Sequence, residues 1–249
     1  MASAEGRPVT SSIPDAVASV RERIAEACGR AGRDPAEVTL VAVTKGVGDE
    51  AIRAARDAGV TDLAENYARD LARKAEVVPG RWHFVGKLQA GTAAKVADVA
   101  DVIHSAEPGR GLERVAGRAA RAGRIIPCLA QVDYTGRRQG VRPEDIEAFL
   151  EAAGRMAGIR ITGLMTVPPP TPIQEGARRY FAALRELRDG LLHRWPDLLE
   201  LSMGMSGDYS IAVEEGATMV RVGTALFGDR PVRRAPAGDG GPSPGPSAT

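Results

Sequence analysis

V-T-L-V-A-V-T-K, residues 38–45, is a run of apolar and β-branched residues that ends on an amine. A run without polar alternation reads as a parallel strand buried on both faces, delivering Lys45 to the end of a sheet. The chain has four lysines (Lys45, Lys74, Lys87 and Lys95) against twenty-nine arginines, so its positive charge is nearly all guanidinium. A partly desolvated amine can lose its proton and add to a carbonyl as a Schiff base, which arginine cannot do. The plainer reading is a strand-end lysine that reaches for solvent.

Working outward, the same punctuation recurs. A first helix, capped by Ser11 or Ser12 with Pro14 near its start, places Val17, Val20, Ile24 and Ala27 on one face. After the strand at 38–45, further β segments read at 60–66, 81–86, 101–105, 125–133, 159–167, 198–204 and 219–223. Each but the last is followed by a credible helix, the longest over 173–193. Eight β segments, all but the last followed by a helix, predict an α/β fold of the (β/α)8 TIM-barrel kind, favoured over a doubly wound sheet by the count and by strands this short. The segment T-A-L-F-G after the eighth strand is too short for a full helix, and the extra amino-terminal helix is expected to cover that face.

Composition narrows the function classes. The formal net charge is +1 with acids and bases interleaved, so neither nucleic acid nor an anionic membrane is expected as a partner. Cys28 and Cys128 are too few for a disulfide framework and lack metal-ligand spacing, which suggests a reducing, cytoplasmic setting without a metal site. No apolar run approaches the roughly 20 residues of a membrane span, and the start carries no signal-peptide pattern. Residues 1–11 and 231–249 read as disordered, leaving a folded part over 12–230.

Barrels of this kind hold their chemistry at the carboxyl ends of the strands, with phosphate often held after strands seven and eight. Those places read M-G-M-S-G-D (203–208) and R-V-G-T (221–224). Small residues let backbone N–H groups approach an anion, and Ser206 and Thr224 add hydroxyls; the alternative is two ordinary turns. Arg221 lies between Val220 and Val222 in the last strand, so it is expected to point into the barrel and to need an acceptor. That acceptor is either a carboxylate such as Glu65 or a ring nitrogen. An amine and a phosphate seam in one barrel suit pyridoxal 5'-phosphate held as a lysine aldimine. They also suit a Schiff-base aldolase acting on a sugar phosphate.

L-V-A-V-T-K (40–45), A-E-N-Y (64–67), W-H-F-V-G-x-L-Q (82–89), G-L-M-T-V (163–167), L-S-M-G-M-S-G-D-Y (201–209) and V-R-V-G-T-A-L-F-G (220–228) occur in this order. Together they resemble the pyridoxal phosphate homeostasis protein family, over about residues 12–230. The resemblance implies the barrel of alanine racemase without that enzyme's β-rich domain. It also implies that Lys45 is the aldimine lysine, that Ser206, Gly223 and Thr224 hold the phosphate, and that Arg221 faces the pyridine nitrogen. Asn66 would line the ring pocket, while His83 is either part of the site or a hydrogen-bonded barrel residue. Two segments depart from the family pattern. G-K-L-Q-A-G-T replaces its G-H-L-Q-S-N-K, with Lys87 at the histidine, and R-Q-G (138–140) replaces its K-x-G. Both are expected in surface loops near the mouth.

Racemisation needs an acid/base group on each face of the substrate carbon, and the resemblance supplies only Lys45. In the related racemases the second group is a tyrosine brought by the partner subunit, near the domain this chain is not expected to have. A pyridine nitrogen against Arg221 also stays unprotonated, making the ring a weaker electron sink. The expectation is therefore a non-catalytic, monomeric carrier that keeps or delivers the cofactor, with PLP-dependent apo-enzymes as its partners. An amino-acid racemase is the alternative.

Overall fold

Closure of the sheet is made by the last strand against the first. The computed structural model describes residues 12–170 and 174–228. The strands are β1 (Thr39–Val43), β2 (Asp62–Glu65), β3 (Arg81–Phe84), β4 (Val102–Ala106), β5 (Ile126–Val132), β6 (Ile159–Thr166), β7 (Glu200–Ser202) and β8 (Met219–Val222). Neighbours pair in parallel in chain order and β8 returns to β1, in register from Thr39 with Met219 to Ala42 with Val222. Outside them lie α1 (Ile13–Ala31), α2 (Asp49–Asp57), α3 (Ala68–Val77), α4 (Ala93–Val99), α5 (Arg110–Arg121), α6 (Ile146–Ala153), α7 (Arg178–Leu191), α8 (Tyr209–Glu214) and α9 (Thr224–Phe227). The expectations for residues 1–11 and 231–249, and the start of the long helix at 173, lie outside the described residues.

The eight-stranded barrel read from the sequence is therefore present, with every strand but β4 shorter than the run that announced it. At β1 the reason is local. Thr44 still donates its amide to the Ala64 carbonyl, but Val47 then turns back onto the Thr44 carbonyl, and Gly46, at φ 74°, allows that turn. Lys45 thus sits in the turn just beyond the strand.

Side-chain alternation divides the apolar residues into two cores. Leu63, Phe84, Val220 and Val222 point outward into the layer beneath the helices. Val41, Ala64 and Met219, with Val102, Leu129 and Met165, fill the barrel itself. The inner face is not wholly apolar. His83 is in register with Ala64 and Val102, and Arg221 with Val41, so both project inward, as the Val-Arg-Val alternation of β8 requires.

Helix α1 takes the place left by the single turn of α9, packing against α2, α8 and α9. Ser12 and Asp15 form a reciprocal cap at its start, satisfying amides that would otherwise be orphaned. Near its end Arg33 donates to the Val213 carbonyl at 2.7 Å and Arg30 pairs with Glu214, tying it to α8. Gly204, at φ 89°, turns the chain from β7 towards α8; a Cβ there would stand 2.6 Å from the Cβ of Ala212. The loop carrying Ser206 is short and sterically fixed as a result. Among the described residues no helix is long and apolar enough to cross a membrane.

Candidate functional site

The turn after β1 and the ends of β7 and β8 meet at the carboxyl mouth of the barrel. Between them is a cavity of about 250 Å³ lined by Lys45, Ser206, Arg221, Gly223 and Thr224, with Val43 and Phe227 among its apolar walls. Five of the six residues singled out from the sequence thus share one space.

Ser206 joins the loops that follow β7 and β8. Its Oγ accepts from the amides of Gly223 at 3.1 Å and Ala225 at 3.2 Å. With both lone pairs engaged, the hydroxyl proton is the part of Ser206 left to meet an acceptor. The loop is braced by Asp208, whose Oδ1 accepts from the Met205 amide at 2.7 Å. Burial pushes the Asp208 carboxyl up, opposed by that amide and by the charge of Arg221.

Arg221 is almost fully buried. One terminal nitrogen donates to Ser202 Oγ and the other to the Thr166 carbonyl, at 2.9 Å. Burial lowers it to about 10, with Asp208 opposing, so it remains a cation at neutral pH. The suggested partnership with Glu65 is not made. Glu65 is wholly buried beneath the Lys45 turn and pairs instead with Lys74 of α3, while also accepting from Thr44 Oγ1 and the Asn66 amide, both at 3.0 Å. Lys74 Nζ also donates to the Thr44 carbonyl at 2.6 Å. Lys74 was not singled out from the sequence, although its spacing from Ala68 and Leu71 puts it on the buried face of α3.

Asn66 reaches the same mouth but faces a neighbouring cavity, lined also by Lys87, Gln131 and Arg138. Asn66 is not among the residues that line the Lys45 cavity: it follows β2 directly, and its carbonyl lies so close to Gly86 that a Cβ there would stand 1.9 Å away. The two departures from the family pattern, Lys87 and Arg138, therefore converge beside Asn66.

His83 is a hydrogen-bonded barrel residue. Its Nε2 lies 2.9 Å from Asp62 Oδ1 and its Nδ1 2.7 Å from Nε2 of His104, whose Nδ1 lies 2.8 Å from Ser202 Oγ. His104 escaped the sequence reading; a second histidine inside an apolar strand, I-H-S, was the available signal. Burial first, reinforced by the nearby positive charges of Arg221 and Arg81 and by His83 whenever that ring is protonated, lowers His104 well below 6.5. The folded protein thus keeps His104 neutral where the unfolded chain protonates it. The unfolded state then binds more protons, and stability falls as pH drops below about 6.5, by up to about 1.4 kcal/mol per pH unit. Urea midpoints measured between about pH 7.5 and 5 check this; a flat profile contradicts it.

A parallel eight-stranded barrel with this lysine and this seam defines the alanine racemase barrel class, and the family described as "Alanine racemase, N-terminal domain" matches residues 17–231. Within that class, the chain belongs to the pyridoxal phosphate homeostasis protein family. It is 41% identical over 226 residues to the "Pyridoxal phosphate homeostasis protein" of Pseudomonas aeruginosa, covering 88% of this chain and 96% of that one. The protein of the same description from Aquifex aeolicus is 36% identical, covering 85% and 95%. Among solved structures, PipY of Synechococcus elongatus with PLP bound is similar at a TM-score of 0.76 and 34% identity, over 87% of this chain and all of that one. An alanine racemase of Clostridium difficile shares the fold at 14% identity and a TM-score of 0.69, over 90% of this chain and 61% of that one.

Proposed function

We propose that this protein binds pyridoxal 5'-phosphate in the cavity between β1 and β8, and keeps or delivers it to PLP-dependent apo-enzymes without turning over a substrate of its own. The observation that carries the reading is the presence of Lys45, Ser206, Thr224 and Arg221 around one cavity. When bound, the cofactor supplies an aldehyde to a primary amine and a phosphate to an anion site. Lys45 is the amine. The hydroxyls of Ser206 and Thr224 hold the phosphate, with Gly223 between them leaving room for its approach, and Arg221 faces the pyridine nitrogen. Asn66, from the adjoining cavity, borders the approach to the ring.

The carrier reading rests on what surrounds the amine. Among the described residues lining the cavity, Lys45 is the one side chain of a type that commonly serves as an acid or base; the others are apolar groups, glycines, hydroxyls and Arg221. Proton transfer on two faces of a substrate needs a second such group. Arg221, cationic at neutral pH, disfavours protonation of a nitrogen placed against it. We infer a cytoplasmic monomer as the working form. The test pairs a titration with pyridoxal 5'-phosphate, expected to raise a visible absorption band at one equivalent, with α-proton exchange in deuterated water over a panel of amino acids. Exchange no faster than with free cofactor is expected. Sustained turnover would overturn the carrier reading, and no band at any concentration would overturn attachment of the cofactor through Lys45.

A further inference from the structure

Five buried side chains run through the barrel from the candidate site to the opposite mouth: Arg221, Ser202, His104, His83 and Asp62. They come from β8, β7, β4, β3 and β2. Donor and acceptor bookkeeping leaves one arrangement that matches every group. Arg221 has only protons to offer, so Ser202 Oγ accepts from it. The Ser202 hydroxyl then donates to His104 Nδ1. His104 carries its proton on Nε2 and donates to His83 Nδ1, and His83 carries its proton on Nε2 and donates to Asp62. The far end is an acceptor. Burial raises the Asp62 carboxyl, but hydrogen bonds from His83 and Thr61 outweigh it and hold the group below its ordinary value. Asp62 is anchored there by Thr61 Oγ1 at 2.7 Å and lines a separate cavity at the amino end of the barrel with Arg21 and Thr61.

The rival arrangement places an extra proton on His83 and reverses the direction as far as Ser202. Its hydroxyl would then accept from both Arg221 and His104, and its own proton would have no acceptor among the described hydrogen bonds. Leaving such a proton unpaired in a buried site is unfavourable.

We propose that Ser202, His104, His83 and Asp62 are positioning residues for Arg221: the carboxylate at one mouth sets the direction of the chain, the chain anchors the Ser202 hydroxyl proton on His104, and the Ser202 oxygen so oriented holds the guanidinium at the other. The connection to the cofactor rests on Arg221 facing the pyridine nitrogen, as proposed above; the chain itself does not.

The test is ¹⁵N NMR of the labelled protein, first without added cofactor. Both His83 and His104 are expected to carry a proton on Nε2 and none on Nδ1 at neutral pH, with the exposed His193 as reference. The terminal nitrogens of Arg221 are expected as separate, slowly exchanging signals. In Ser202→Ala these signals should merge and the His104 Nδ1 resonance should move. The affinity for pyridoxal 5'-phosphate should fall about tenfold with the visible band retained. A proton on Nδ1 of His104 in the unsubstituted protein would overturn the direction, whatever the variant does. Arg221 signals and affinity unchanged in Ser202→Ala would overturn positioning. If the unsubstituted protein shows the expected protons but raises no visible band, the cofactor reading fails while the chain stands on the Arg221 signals.

Discussion

Lys45→Ala is expected to lose the visible absorption band of the loaded protein completely, and to weaken binding by at least about tenfold, or about 1.4 kcal/mol. No other lysine stands ready to replace it. Lys74 is buried against Glu65, Lys87 faces the neighbouring cavity and Lys95 is exposed on α4. Lys45→Arg should lose the band as well, because a guanidinium keeps its proton at neutral pH and does not add to an aldehyde. Residual affinity in either variant measures what the seam of Ser206, Gly223 and Thr224 contributes alone. A band that persists in Lys45→Ala would mean that another amine, or none, is used.

The largest effect on stability is expected from Lys74→Met, which leaves the Glu65 carboxylate buried without its cation. Glu65 keeps the hydrogen bonds from Thr44 Oγ1 and the Asn66 amide, but losing one partner of a buried pair typically costs about 3–5 kcal/mol. Adding Glu65→Gln to Lys74→Met should recover much of the loss, since the amide buries no charge: its carbonyl oxygen accepts from the Asn66 amide and its NH2 donates to Thr44 Oγ1, whose own proton then goes to the Ala64 carbonyl. Urea midpoints of the single and double variants measure both effects. A single-variant loss under about 1 kcal/mol would show that water or rearrangement reaches the carboxylate. Because Lys74 also holds the Thr44 carbonyl, the single variant should loosen the turn carrying Lys45 and reduce cofactor affinity too.

The barrel was legible because the strand-helix alternation is local, and each apolar run bounded by glycine or proline could be read without knowing its neighbours. The inward direction of Arg221 was legible for the same reason, from Val220 and Val222 on either side. What it touches was not. Glu65 looked available because it closes a strand near the mouth, whereas the cation that claims it lies nine positions on, on the buried face of α3. The hydrogen-bonded chain through the barrel was out of reach, since His104 and Ser202 are 98 positions apart and meet only on closure. That Asn66 lines the cavity next to that of Lys45 was not legible either, because motif order carries no information on how a strand end turns around the rim.

The most direct measurement is mass spectrometry of the protein after loading with pyridoxal 5'-phosphate, borohydride reduction and digestion. The account predicts one phosphopyridoxyl group per chain, on the peptide that contains Lys45. Labelling spread over surface amines, or confined to Lys87 beside Asn66, would contradict it.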